Sequence, residues 1–262
     1  MTRRKQIEEL GDVGPRDGED EAGGAGGRGT DDGASGLKGL SKGQDGGVLT
    51  DELAIREHSV AACKALLPSR VGDRRFEWMT QGRSAAMKAA GKLYSTCGDL
   101  GGAVLWCLGY RGPALNRDLE EGDGGPRRWK VGLNIYHLTG KPAVDDGLFV
   151  RWRTDLLPGM GDLLYVSNGP PRTEHVSILE RKDTELTDEE QRTIPDGCEA
   201  WIVWQAGGGG VFDQHGSQGR SVYALRNPKR PHAELNGRRL VGWLSMANLV
   251  GKLAMPARLP PF

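Results

Sequence analysis

The stretch Asp162-Leu-Leu-Tyr-Val-Ser-Asn-Gly-Pro-Pro-Arg-Thr-Glu-His-Val-Ser-Ile-Leu-Glu180 decides the fold class. Two apolar, β-branched runs, 162–167 and 174–180, flank a polar connector carrying Gly169, Pro170 and Pro171, which reads as strand, turn, strand. The connector is too short for the helical crossover that parallel neighbours need, so the two runs pair antiparallel. Runs of the same kind follow at 200–205, 221–226 and 239–243, and one precedes at 129–138. Strands therefore dominate from Trp129 onward.

Upstream the period is helical. Residues 52–67 place Leu53, Val60, Cys63 and Leu67 on one stripe, with Thr50 or Asp51 as N-cap and Pro68 as stop. A second helical stretch at 83–94 runs into Ser95-Thr-Cys-Gly-Asp-Leu100, after which Leu100, Val104, Leu105 and Leu108 recur at helical spacing until Gly109. Ser95 or Thr96 caps that third helix, which puts Cys97 at its mouth. Residues 116–128 read as an exposed loop, 181–195 as a charged insert with helical composition near Thr187, and 244–253 as a short closing helix. Helices first and a mainly antiparallel sheet afterwards is an α+β arrangement.

The chain has 262 residues, with 35 basic and 35 acidic side chains. Residues 1–50 hold 14 of the 41 glycines and no aromatic residue or cysteine. Such a segment cannot bury enough apolar area to offset about 1–2 kcal/mol per residue of backbone ordering entropy. It is expected to be a disordered Gly-rich tail, followed by one domain over 51–262. With zero net charge and no basic block beyond Arg3-Arg-Lys5, nucleic acid is not expected as a partner. No apolar stretch approaches the ~20 residues of a membrane crossing, so no membrane insertion and no standard signal peptide are expected. Cys63, Cys97, Cys107 and Cys198 are too sparse for a disulfide scaffold and form no CxxC pair.

Cys97 carries the most chemistry. A thiol at a helix N-terminus faces unpaired amides and the positive end of the macrodipole, which is expected to lower its pKa and activate it as a nucleophile. Gly98 and Gly101-Gly102 are expected to leave the first turn bare for a substrate carbonyl. Cys107 and Cys63 read as core and Cys198 as a loop residue. His175 opens a strand on which it shares a face with Ser177 and Leu179, so a rigid sheet can present its imidazole as base to the thiol. Gln205, at the polar end of Trp201-Ile-Val-Trp-Gln205, is the candidate to orient that imidazole, with Asp213, Gln214 and His215 as competitors. The tetraglycine after Ala206 lacks the Lys-Ser/Thr of a phosphate loop.

Taken in order, Thr96-Cys-Gly-Asp-Leu100, Pro158-Gly-Met-Gly-Asp-Leu-Leu-Tyr165, Glu174-His-Val-Ser-Ile178 and a strand ending in a polar group resemble the NlpC/P60 and CHAP group of papain-like cysteine peptidases and amidases. The resemblance covers about residues 90–210. It implies a papain-like fold with the nucleophile Cys97 at a helix N-terminus, His175 as base, Gln205 as orienting residue, and no cofactor or metal. Thr96 precedes the cysteine and Gly98-Asp99 follow it, where members of the group commonly carry Asp before and Ser-Gly after. Cysteine before histidine is also opposite to the permuted lipid-acyl branch. The resemblance further implies amide cleavage in bacterial peptidoglycan peptides. A small member without signal peptide or wall-binding repeat fits an antibacterial effector or a lysin. Such an effector is made in the cytoplasm, exported by a specialised system and paired with an inhibitory immunity protein. The rival expectation is a non-catalytic binding protein whose Trp129, Trp152, Trp201, Trp204 and Trp243 form a ligand face, with Cys97 inert.

Overall fold

The computed structural model describes residues 47–67, 77–78, 94–117, 131–134, 138, 146–167, 174–206, 218–230 and 232–259. Residues 83–93 of the helix expected at 83–94, most of the runs at 116–128 and 129–138, and residues 1–46 of the expected tail lie outside the described residues, while Tyr94 belongs to a strand. Leu49 packs against the core and the Gly47 carbonyl accepts from the Ala257 amide at 3.4 Å.

Helix α1, Glu52–Leu66, starts where expected, because the Asp51 side chain accepts from the Ala54 amide at 3.0 Å. Ile55, Ser59, Ala62, Cys63 and Leu66 form its buried face. Leu53, expected on that stripe, lies on the opposite side of the helix at 100° per residue and is 57% exposed. Two short strands, β1 (Glu77–Trp78) and β2 (Tyr94–Ser95), pair in parallel. Helix α2, Cys97–Cys107, begins at once after β2, and Thr96 rather than Ser95 caps it. The Thr96 hydroxyl accepts from the Asp99 amide at 3.2 Å, and an Asp99 carboxylate oxygen accepts from the Thr96 amide at 3.0 Å. This reciprocal capping box fixes the direction in which the cysteine leaves the first turn. Strands β3 (Leu115–Asn116) and β4 (Gly132–Leu133) pair antiparallel beside α2.

The main sheet contains β5 (Phe149–Arg151), β6 (Leu163–Val166), β7 (His175–Lys182), β8 (Cys198–Ala206), β9 (Gln218–Arg226), β10 (Glu234–Leu235) and β11 (Arg238–Leu244), in the order β10-β9-β8-β7-β6-β11-β5. Every pairing within it is antiparallel. Helix α3, Asp188–Thr193, lies in the charged insert between β7 and β8. Thus the α+β expectation holds, with helices α1 and α2 preceding a largely antiparallel seven-stranded sheet. Two local expectations fail. Cys198 is not in a loop but opens β8, its amide bonded to the Pro195 carbonyl at 3.1 Å. The closing helix at 244–253 is only a single 3₁₀ turn, Ala247–Leu249, since β11 runs on through Leu244 and Gly251 adopts a left-handed φ of 76°.

Strand β10 pairs with both β9 and β11, so six strands close into a ring with β5 added outside β11. Alternation along each strand then separates an inner from an outer side. Leu164, Val166, Leu179, Trp201, Val203, Tyr223, Leu225, Leu235, Leu240 and Trp243 pack together as the inner cluster. Leu163, Tyr165, Val176, Ile178, Trp204 and Leu244 join the cluster formed by α1 and α2 on the outer side. Close approach there depends on Gly102. A Cβ at this position would come within 2.4 Å of the Gly132 backbone, and one at Gly101 within 2.6 Å of Leu133. These glycines therefore seat β4 against α2 and do not bare the first turn to substrate. Only Gly98 is open in that way.

Candidate functional site

The Gly161-Asp162 pair holds the framework of the site. Gly161 has φ 83°, and a Cβ there would lie 2.9 Å from the Arg56 carbonyl, so glycine alone lets the turn press on α1. Asp162, 1% exposed, accepts from the amides of Gly159 and Met246 at 2.8 Å each and pairs with Arg56 at 3.0 Å. One carboxylate thereby ties β6, the end of β11 and helix α1 together. Burial nonetheless pushes its pKa up, against the two amides and the guanidinium that favour the charged form.

His175 and Gln205 meet as expected. Val166 pairs with His175, and Val166 belongs to the inner cluster, so the imidazole enters the ring of strands at its rim. Its Nε2 lies 3.0 Å from Oε1 of Gln205, and the Tyr223 hydroxyl donates to the same oxygen. An amide oxygen only accepts, so Nε2 carries the proton and Nδ1 the lone pair. The Tyr223 ring stands 6.2 Å from the imidazole, centre to centre. All three side chains are buried. Burial, then the nearby Arg238 cation, pushes the His175 pKa down to about 4, while the Gln205 bond works the other way. The imidazole is therefore neutral at pH 7.

Cys97 arrives at the same rim from outside, on the first turn of α2. The backbone amides of Val176, the residue after His175, and of Gly98 act on its sulfur in favour of thiolate, and so does Arg238. Burial outweighs them and raises the thiol pKa, which corrects the expectation that the helix terminus would lower it. The resting pair is thiol and neutral imidazole. The capping box takes the amides of Thr96 and Asp99, and the Gly98 amide between them faces the sulfur. Tyr165 stands on the outer side of the rim, donating to Glu174 at 2.9 Å.

Two residues of this rim escaped sequence reasoning. Tyr223 was legible through strand alternation, since it sits opposite Trp201 on β9. Arg238 was legible through Asn236-Gly237, both at positive φ (49° and 72°), the signature of a tight hairpin between β10 and β11. Of the competitors for the orienting role, Asp213, Gln214 and His215 lie outside the described residues. The proposed tryptophan face is not a surface: Trp201, Trp204 and Trp243 are core residues and Trp152 stacks edge-on against Trp243 at 6.0 Å. Trp129 lies outside the described residues. Cys63 and Cys107 are buried in the core, as expected, and all four cysteines are free thiols. Among the described residues no group of three or more His, Cys, Asp or Glu side chains could hold a metal ion, and no helix is long and apolar enough to cross a membrane. No family model, curated protein or solved structure matches the chain.

Proposed function

We propose that the protein is a cysteine amidase or endopeptidase of the papain-like kind, with Cys97 as nucleophile, His175 as base and Gln205 as the orienting residue. The observation that carries this reading is the buried Gln205–His175 bond beside the helix terminus that bears Cys97. Nδ1 of His175 takes the thiol proton as sulfur attacks the scissile carbonyl carbon. The oxyanion is met by the Cys97 backbone amide at the helix start. The C–N bond then breaks, the imidazolium returns its proton to the leaving amine, and water hydrolyses the thioester to restore the thiol. Gln205 and Tyr223 keep the proton on Nε2 throughout, so the lone pair stays on the side that must receive the thiol proton.

Cell-wall peptides are the substrate class we infer, following the likeness of the Cys97, Gly161-Asp162 and His175 motifs to NlpC/P60 and CHAP enzymes. Purified protein should release new amino groups from bacterial peptidoglycan, and folded Cys97→Ala protein should release none. Expression directed to the periplasm should lyse cells where cytoplasmic expression does not. Muropeptide profiles identical for wild type and Cys97→Ala would overturn the cell-wall reading. Undiminished hydrolysis by Cys97→Ala would overturn the cysteine mechanism.

A further inference from the structure

Arg238 is a cation beside the candidate site. It opens β11 directly after the Asn236-Gly237 turn and pairs with Leu235, an inner-cluster residue, so it stands on the inner side of the ring. Its end of β11 is the end at which β6 finishes and β7 begins, since Leu240 pairs with Val166 and Val166 with His175. Arg238 therefore shares the rim with His175, Gln205 and the approach of Cys97. It is partly exposed, and among the described residues no carboxylate pairs with it. Its neighbour Arg239 lies opposite Glu234 instead. Half-buried Arg56, by contrast, is matched by Glu52 and Asp162. An arginine held on a two-residue hairpin beside the candidate site offers two parallel N–H donors to a planar anion.

We propose that Arg238 binds a substrate carboxylate adjacent to the scissile amide, making the enzyme selective for acidic peptides. This rests on the proposed hydrolase reading and names the chemistry its substrate must carry. A carboxylate placed there also offsets the cation that otherwise disfavours a proton on His175, so the acidic substrate helps the base it needs.

The test uses two synthetic wall stem peptides, identical except that one bears a free carboxylate beside the susceptible amide and the other a carboxamide. Wild type should cleave the acidic peptide with a kcat/KM about 10- to 100-fold higher. Arg238→Gln should lose that preference, cleaving the two peptides with similar kcat/KM. An undiminished preference in Arg238→Gln overturns the proposal. Binding of the same peptides to Cys97→Ala protein separates the two layers. Tighter binding of the acidic peptide, lost in Cys97→Ala/Arg238→Gln, upholds Arg238 even if wild type proves to cleave neither peptide, a result that would sink only the hydrolase reading. Equal binding of both peptides to Cys97→Ala protein overturns the Arg238 proposal independently of turnover.

Discussion

His175 donates through Nε2 to an oxygen that Tyr223 also engages, and that shared acceptor sets the roles of all three residues. His175→Ala should abolish amide hydrolysis nearly as completely as Cys97→Ala, because the thiol is neutral at rest and needs a proton acceptor. Gln205→Ala should retain turnover at roughly a tenth to a hundredth of kcat, since the imidazole is then free to change tautomer. Tyr223→Phe should fall between Gln205→Ala and wild type. If steady-state kinetics show Gln205→Ala unchanged, the orienting group is another residue. The same histidine links stability to acidity. Its folded pKa of about 4 lies below the 6.5 of the unfolded chain, so between those values the unfolded state binds the extra proton. Stability contributed by the neutral ring is complete above pH 6.5 and is lost as pH falls toward 4, on the order of 3 kcal/mol in all. Thermal melts of wild type should therefore drop more steeply from pH 6.5 to 4 than those of His175→Gln.

Among the elements, α2 shows how local chemistry fixes the site. Thr96→Ala should cost about 1 kcal/mol by removing half of the capping box, and activity should fall with it because Cys97 is the first residue of the helix. Gly102→Ala should cost more, about 2 kcal/mol or above, since its methyl meets the Gly132 backbone, which has no side chain to move aside. Urea denaturation of both variants measures the difference, and a Gly102→Ala protein as stable as wild type would show that β4 does not seat as described. The capped start of α2 and the run 162–180 were readable because their signals are local: a Thr with a side-chain partner three residues on, and alternation broken by Gly and Pro. Leu53 and the glycines of α2 were misread for the complementary reason. Which side of a helix faces inward, and whether a glycine admits substrate or a neighbouring strand, depends on partners distant in sequence.

For the whole molecule, ring closure is the feature that sequence could not supply. It depends on β10, two residues long, pairing with strands on both of its sides. Without that closure Arg238 and Tyr223 belong to separate hairpins; with it, they converge on His175. The raised thiol pKa was hidden likewise, because the helix terminus is a local signal while the burial that opposes it is assembled by β6, β7 and α2 together. At the edge of this body, deleting residues 1–44 should leave the melting temperature nearly unchanged, given a Gly-rich composition with little to bury. Deleting 1–50 should lower it, because Leu49 packs on the core and the Gly47 carbonyl accepts from the Ala257 amide. Equal melting temperatures for the two truncations would show that residues 45–50 contribute nothing.

The bond from the Ala257 amide to the Gly47 carbonyl has a further consequence. It brings Gly47 and Ala257 side by side, 210 residues apart in sequence. A short linker could therefore join residue 259 to residue 47, and new ends could be opened in the 168–173 connector between β6 and β7. Such a circular permutant would keep every strand pairing while reversing the order in which Cys97 and His175 occur, since a chain restarted at Glu174 meets His175 at once and reaches Cys97 only after the linker. The order of Cys97 and His175 along the polypeptide can therefore be exchanged without altering a single strand pairing.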